Sequence, residues 1–492
     1  MSQAPTNERQ GAALLHCAIH PAADGTRARH LAAQLLGMIG FPFGFGRLGE
    51  PEPGAAKARV TILPPGATDT TATDGTPTLA IVLGKPWDDP AAVRVAWRGG
   101  LPLLHLESAG APAALLDGDR VTADVLGALE FLLEGEERLI TERDERGRFR
   151  AAFSVLDDLG LSYAPPIDRV AAALRHSLAE HAPALGTTGW GDDAAFLVAL
   201  THDVDGIFDA RPQRRKIGHL LRAGLAARSG LAFERAVTEV ARLALRGPRP
   251  GPPGFNFGSW LSFERRAGVR STYHVFADYE AGRHTDDAWY TYAERGRLDG
   301  RVLAFGDALR TLAVEGFEIG LHTSIASFAD DARVARELAS VARAAGAPVR
   351  SARAHHLRFD TVRSGPGYAA AGITQDSSMS GVGFVRGSGF PFRLAGAGRL
   401  LELPTVVQDD HLLKDWRLGL PGPLAERKVA RVLGEVRDAG GGAAILFHTD
   451  QDTKLALYEW IVDWIRGHRG RCVTAAELGD RWRQRSAPRY GA

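Results

Sequence analysis

A chain of 492 residues with 45% hydrophobic content is long enough for a large core and, by length alone, for roughly two to four domains. Its 59 Lys and Arg against 58 Asp and Glu leave a net charge of +1, which excludes a general electrostatic pull toward nucleic acid or a membrane surface. Two cysteines, Cys17 and Cys472, exclude a disulfide framework and an all-cysteine zinc site. The polar opening Met-Ser-Gln-Ala-Pro-Thr-Asn lacks the apolar core of a signal peptide, and no later run is apolar enough to span a bilayer. The expectation is a cytoplasmic protein with no integral membrane segment and no nucleic-acid partner.

Residues 1–150 read as a smaller N-terminal α/β domain, with strand-like runs at Arg59–Leu63 and Thr78–Leu83 between Gly-, Pro- and Thr-rich turns. Asp124–Ile140 has apolar residues at helical spacing, and Glu142–Arg150 is a charged run that reads as a solvated turn or linker. Residues 151–189 form a linker with a docking helix over Asp168–Leu178. A third segment, 190–485, opens on Phe196-Leu-Val-Ala-Leu-Thr-His-Asp-Val-Asp205-Gly206, an apolar run that breaks into two carboxylates and a glycine. Such a run is a buried strand, and its end is where an α/β protein places its chemistry.

Within this segment, 209–256 is a basic insertion, with ten Lys or Arg and two Glu between Arg211 and Arg249; it reads as a helix pair covering the domain. Strand and helix patterns then alternate. Strands are expected at Ser271–Phe276, Glu318–His322, Pro348–Arg353, Leu400–Val407 and Ala443–His448, with helices at Asp307–Glu315, Asp331–Ala345 and before Gly440. The alternation predicts a parallel sheet closed, or nearly closed, into a (β/α) barrel.

Polar residues recur where those strands end: Asp203 and Asp205, His322, Arg353 with His355 and His356, Glu402, and His448. In a barrel these ends open onto one face, so residues distant in sequence converge. Carboxylates and imidazoles round a cleft suit a divalent metal such as zinc, which lowers the pKa of water from about 15.7 to about 7 and stabilises an oxyanion. Asp450 is placed to orient His448, while Asp409-Asp410-His411 reads as a solvated loop that could edge a sugar site. Trp260, Tyr290, Trp416 and Trp460 are compatible with core packing and with stacking on a sugar ring.

Leu200-Thr-His-Asp-Val-Asp-Gly206, Glu318-Ile-Gly-Leu-His-Thr-Ser324, Arg353-Ala-His-His-Leu-Arg-Phe359, Asp376-Ser-Ser-Met379 and Leu446-Phe-His-Thr449 resemble, in order and spacing, the motifs of NodB-type polysaccharide deacetylases of carbohydrate esterase family four. The resemblance is to the bacterial branch whose first motif reads Thr-His-Asp-Val-Asp and whose catalytic part follows an N-terminal accessory domain. It implies a distorted (β/α) barrel that hydrolyses an N-acetyl or related amide on a carbohydrate with a metal ion, most often zinc. By the same resemblance Asp203 is the general base, Asp205 a metal carboxylate, His322 the first metal histidine, Arg353 the arginine that orients the base, and His448 the acid that protonates the leaving amine. The usual second histidine, four residues after the first, is here Ala326, which has no ligand atom. His355, two residues after Arg353, is the expected replacement ligand. Two other readings stand beside this one. A degenerate deacetylase fold would bind glycan without cleaving it, and Asp203-Val-Asp205-Gly206 also resembles the nucleophile loop of haloacid dehalogenase-like phosphatases, although Ile207 stands where that loop has threonine.

Overall fold

The computed structural model describes residues 14–23, 25–48, 56–67, 76–186, 189–190, 193–208, 237, 252–280, 283–284, 286–379, 387–414, 417–449 and 454–490. Most of the basic insertion predicted at 209–256 lies outside them, as do Asp450 and Trp416.

The N-terminal region builds a sheet from β1 (Leu14–Ile19), β2 (Phe43–Arg47), β3 (Ala56–Leu63) and β4 (Thr78–Val82). A separate hairpin, β5 (Val93–Arg98) and β6 (Leu101–Leu106), precedes a short pair, β7 (Leu116–Asp117) and β8 (Arg120–Val121), that extends the first sheet. The sheet order is β2-β1-β3-β4-β8-β7, parallel except for the last pair. The helix Gly25–Ile39 buries Ala28, Leu31, Leu35 and Ile39 along one stripe, the spacing of an amphipathic helix laid on a core. Asp124–Ile140 is helical as expected but contains a π-helical turn at Phe131–Gly135.

The larger sheet begins with β9 (Phe196–Val204), buried along its whole length as a central parallel strand must be. It continues with β10 (Thr272–Val275), then, after a small hairpin of β11 (Arg295–Leu298) and β12 (Arg301–Ala304), with β13 (Glu318–Thr323), β14 (Ser351–Ala354), β15 (Gln375–Asp376), β16 (Phe392–Arg393), β17 (Leu401–Glu402), β18 (Thr405–Gln408), β19 (Gly442–His448) and β20 (Gly470–Val473). The order is β16-β17-β15-β14-β13-β10-β9-β19-β18, with β20 also on β9, and all pairs except β16–β17 are parallel. β20 takes the first half of β9 and β10 the second, so three strands share one.

One expectation is corrected here, and the expectation of a sheet closed or nearly closed is narrowed. The run Leu400–Val407 is two strands, because Pro404 lacks an N–H for a ladder and breaks the run between Glu402 and Thr405. The sheet is also not closed by strand pairing among the described residues: β17 and β18 follow one another in sequence without pairing. A side chain spans the gap, where the Thr405 hydroxyl donates to the Ser377 carbonyl at 3.0 Å, so the sheet curls like part of a barrel wall. Helices Phe305–Val314, Asp331–Ala345 and Gly422–Ala439 connect the strands, the last ended by Gly440 at φ 70°, where a left-handed cap favours glycine. Because neighbouring strands run in one direction, their carboxyl ends share one rim. Trp260 and Tyr290 are buried and Trp460 packs on the apolar core, so these aromatics serve packing.

Candidate active site

Register alignment gathers the strand-end residues. Asp203 on β9 lies level with His274 on β10 and His448 on β19, while His322 on β13 lies level with Arg353 on β14. Asp203, Asp205, His322, His355 and His448 line a single pocket of about 300 Å³. Arg353 stands behind it, fully buried. Glu402 does not join them: it turns into the core, where it accepts from the Met379 N–H at 2.9 Å beside Asp376.

One oxygen of Asp205 and one nitrogen each of His322 and His355 lie within 4.8 Å of one another. The local chain explains how. His322 Nδ1 faces the Arg353 carbonyl at 2.8 Å, which takes its N–H and turns Nε2 toward the acids. His355 Nδ1 faces Asp287 Oδ1 at 2.7 Å, an arrangement that likewise commits one ring nitrogen and leaves the other. After β14 the backbone of His356 (φ 58°) and Leu357 (φ 57°) is left-handed, costing about 1–2 kcal/mol per residue. That sharp turn directs His355 inward and stacks it on His356 with ring centres 4.0 Å apart. Phe276 packs against both ligand imidazoles, at 4.6 Å from His322 and 4.9 Å from His355.

The donor set fits a cation. Asp205 Oδ1 is buried without a hydrogen-bond partner and lies 3.3 Å from His322 Nε2, close to the separation of two ligands on a zinc ion with bonds of about 2.0–2.1 Å. Burial alone would raise the Asp205 carboxyl, yet His322, His355 and His448 hold it well below the usual carboxylate range. Burial would also lower His322, and Asp203 and Asp205 reverse that and raise it. The site therefore draws positive charge to one point, and two imidazoles with one carboxylate are a common ligand set for a catalytic zinc.

Asp203 is held differently. Arg353 Nη1 donates to Asp203 Oδ1 at 3.0 Å and to the Thr201 hydroxyl at 2.8 Å, and Nε donates to the Ser377 carbonyl at 3.1 Å. The other carboxylate oxygen, Oδ2, is 3.6 Å from His322 Nε2. One oxygen is thus fixed and the other is turned into the cleft.

On the opposite wall, Asp409 organises His448. It accepts from the His448 backbone N–H at 2.8 Å, faces the ring Nδ1 at 2.8 Å, and binds Lys454 at 2.8 Å. Asp409 is fully buried, so the reading of Asp409-Asp410-His411 as a solvated loop is corrected. Asp409, Asp410 and His448 also lie close enough to be a metal set, but Lys454 already bridges the two carboxylates at 2.8 and 2.9 Å. Burial alone would lower the His448 pKa; Asp409 first, then Asp410 and Asp205, outweigh it and raise it to about 10. That shift favours the protonated imidazole at neutral pH. Replacing Asp409 with asparagine removes the principal charge that holds that proton, so the alkaline limb of the kcat–pH profile should move toward lower pH and kcat should fall about 10²-fold or more. A limb that stays in place would remove His448 from the role of acid.

Several supporting groups at the site were not assigned to it from the sequence. Asp287 and Asp409 come from loop and helix-start positions. Arg146 and Arg148 line the pocket from the charged run read as a solvated turn or linker; the turn is there and Arg146 is exposed, whereas Arg148 is buried. Arg146 packs on the His356 ring at 3.0 Å. Ala326, on the turn Ile325–Ser327, supplies no ligand atom.

No protein-family model matches the chain, and no curated protein matches it. Similar solved structures include a Mycobacterium smegmatis protein described as a polysaccharide deacetylase, at 20% identity and TM-score 0.39, covering 62% of this chain and 96% of that one. A family 4 carbohydrate esterase from Streptomyces lividans has 14% identity and TM-score 0.30, covering 57% of this chain and 92% of the other. The peptidoglycan deacetylase PdaC from Bacillus subtilis has 13% identity and TM-score 0.30, covering 60% and 96%. Among the described residues no helix is long and apolar enough to cross a membrane.

Proposed function

We propose that this chain is a metal-dependent amide hydrolase that removes an N-acetyl or related acyl group from an amino sugar. The observation that carries the reading is the junction, in one pocket, of an N,N,O donor set with a carboxylate fixed by a buried arginine and an imidazole held by the buried Asp409. The carbohydrate comes from the resemblance of the five motifs. Asp205, His322 and His355 would hold the ion, with zinc the best match to their donor atoms. When bound, a divalent ion there supplies the charge that acidifies water and stabilises an oxyanion.

The chain's own residues do the rest. Asp203, aimed by Arg353, takes a proton from water as its oxygen bonds to the amide carbon. His448 gives its proton to the nitrogen as the C–N bond breaks, releasing a carboxylic acid and an amine; the proton on Asp203 restores His448 for the next cycle. Phe276 packs against both histidine rings and holds their orientation.

The test is metal analysis of purified protein followed by acetate release from a panel of N-acetylated sugars. One bound transition metal per chain and acetate release that stops with a chelator and returns with zinc are expected. Glycan binding by metal-loaded protein with no acetate across the panel would establish the degenerate-fold reading instead. Hydrolysis of a simple phosphate ester with magnesium, but not zinc, would establish the phosphatase.

A further inference from the structure

The mouth of the pocket carries more positive charge than cleavage of a neutral amide uses. Arg146 and Arg148 stand on its wall from the turn that follows Asp144, and Lys414 and Arg417 line it from beyond the helix Asp409–Leu413. Arg148 and Lys414 each pair with a carboxylate. Arg148 is buried and bonded to Asp144 through Nε at 2.9 Å and Nη2 at 2.8 Å, and Lys414 pairs with Asp410.

Arg146 is exposed, and its guanidinium donates to the His356 ring at 3.0 Å, with no carboxylate in ion-pair reach among the described residues. Arg417 belongs to the same crowd: it lines the same pocket, and burial, then Arg150, Arg148 and Arg146, work against its charge while Asp144 favours it. Like charges gathered beside a concave site raise the local concentration of anions, and a guanidinium fork matches the paired oxygens of a carboxylate or phosphate.

We propose that this rim is an anion subsite, and that the acylated sugar carries a phosphate or carboxylate gripped by Arg146 and Arg417 while its amide reaches the floor. The inference rests on the hydrolase reading and narrows its substrate. A pocket of about 300 Å³ is at the small end for ligand sites, so the anionic group belongs to the acylated sugar or its immediate neighbour. The N-terminal region then has a chemical part: the chain that leaves it delivers the turn bearing Arg146.

The experiment compares N-acetylglucosamine, N-acetylglucosamine 1-phosphate and an N-acetylated hexosaminuronic acid. Acetate release and calorimetric binding are measured for metal-loaded wild type, Arg146→Ala, Arg417→Ala, and, as control, Arg301→Ala on the β11–β12 hairpin, which is not part of the pocket lining. Wild type should favour one charged sugar over the neutral one by about ten- to a hundredfold in kcat/KM, as a lost charge-assisted hydrogen bond implies. That ratio should fall toward one in Arg146→Ala and Arg417→Ala, persist in Arg301→Ala, and shrink at high salt. Which charged sugar wins separates phosphate from carboxylate. Acetate released equally well from neutral and charged sugars, a preference untouched by both pocket substitutions, or charged sugars that neither bind nor react would overturn the subsite. Arginine-dependent binding of a charged sugar without acetate would keep the subsite and sink the hydrolase reading.

Discussion

Purified His355→Ala is expected to lose its metal, while Asp287→Ala should bind it about 10- to 100-fold more weakly than wild type. The two differ because of what each side chain touches. His355 would contribute a ligand atom, and with Ala326 in the position where a second histidine is usual, no nearby imidazole on that turn replaces it. Asp287 would act one step away: its carboxylate faces His355 Nδ1 at 2.7 Å and also accepts from the Ile325 N–H at 3.0 Å. Removing such a partner frees the ring to rotate and lowers the basicity of its other nitrogen, which typically costs 10–100-fold in affinity. Metal content by mass spectrometry and competition with a chelator measure both effects, with circular dichroism to confirm folding. Full occupancy in His355→Ala would assign the third ligand elsewhere. Equal loss in the two variants would mean that Asp287 is needed to hold the whole turn rather than to tune one ring.

Legibility from sequence divides along a physical line. β9 announced itself because a strand buried on both faces must be apolar throughout, so its break into His-Asp-Val-Asp stands out. The helix Asp331–Ala345 was legible to the residue, since its apolar positions keep one stripe and Asp330 caps its first turn. Each of Asp203, Asp205, His322, Arg353, His355 and His448 follows or ends a strand, which is why they could be picked out one by one. Their supporting partners could not. Asp409 opens a short helix whose sequence, Asp-Asp-His-Leu-Leu, is that of any polar helix start, and only the fold brings it 2.8 Å from His448. Arg146 sits among alternating charges typical of a solvated turn, and its meeting with His356 spans 210 residues. The break of the Leu400–Val407 run at Pro404 was the one correction that local rules contained, because a proline inside a predicted central strand argues against that strand.

Asp203→Asn should reduce kcat by about 10²- to 10⁴-fold, the usual share of a positioned base, while retaining metal. Asparagine keeps an oxygen that can accept from Arg353 Nη1, the group that also donates to the Thr201 hydroxyl, but it has no affinity for a proton at neutral pH. Metal should remain because Asp205, His322 and His355 are the three groups that converge without Asp203. The substitution also leaves the Arg353 guanidinium buried without its carboxylate, so some loss of stability is expected, about 3–5 kcal/mol for breaking one partner of a buried pair. Thermal unfolding therefore has to be measured beside single-turnover acetate release. A second variant separates the two causes: Arg353→Lys keeps a positive charge but not the fork that reaches Asp203, Thr201 and Ser377 at once. Its loss of kcat should be smaller than that of Asp203→Asn even where its loss of stability is comparable, because a misaimed base still accepts a proton and an amide does not. If instead the two variants lose activity in proportion to their loss of stability, Asp203 holds the cleft together and the proton goes to another group.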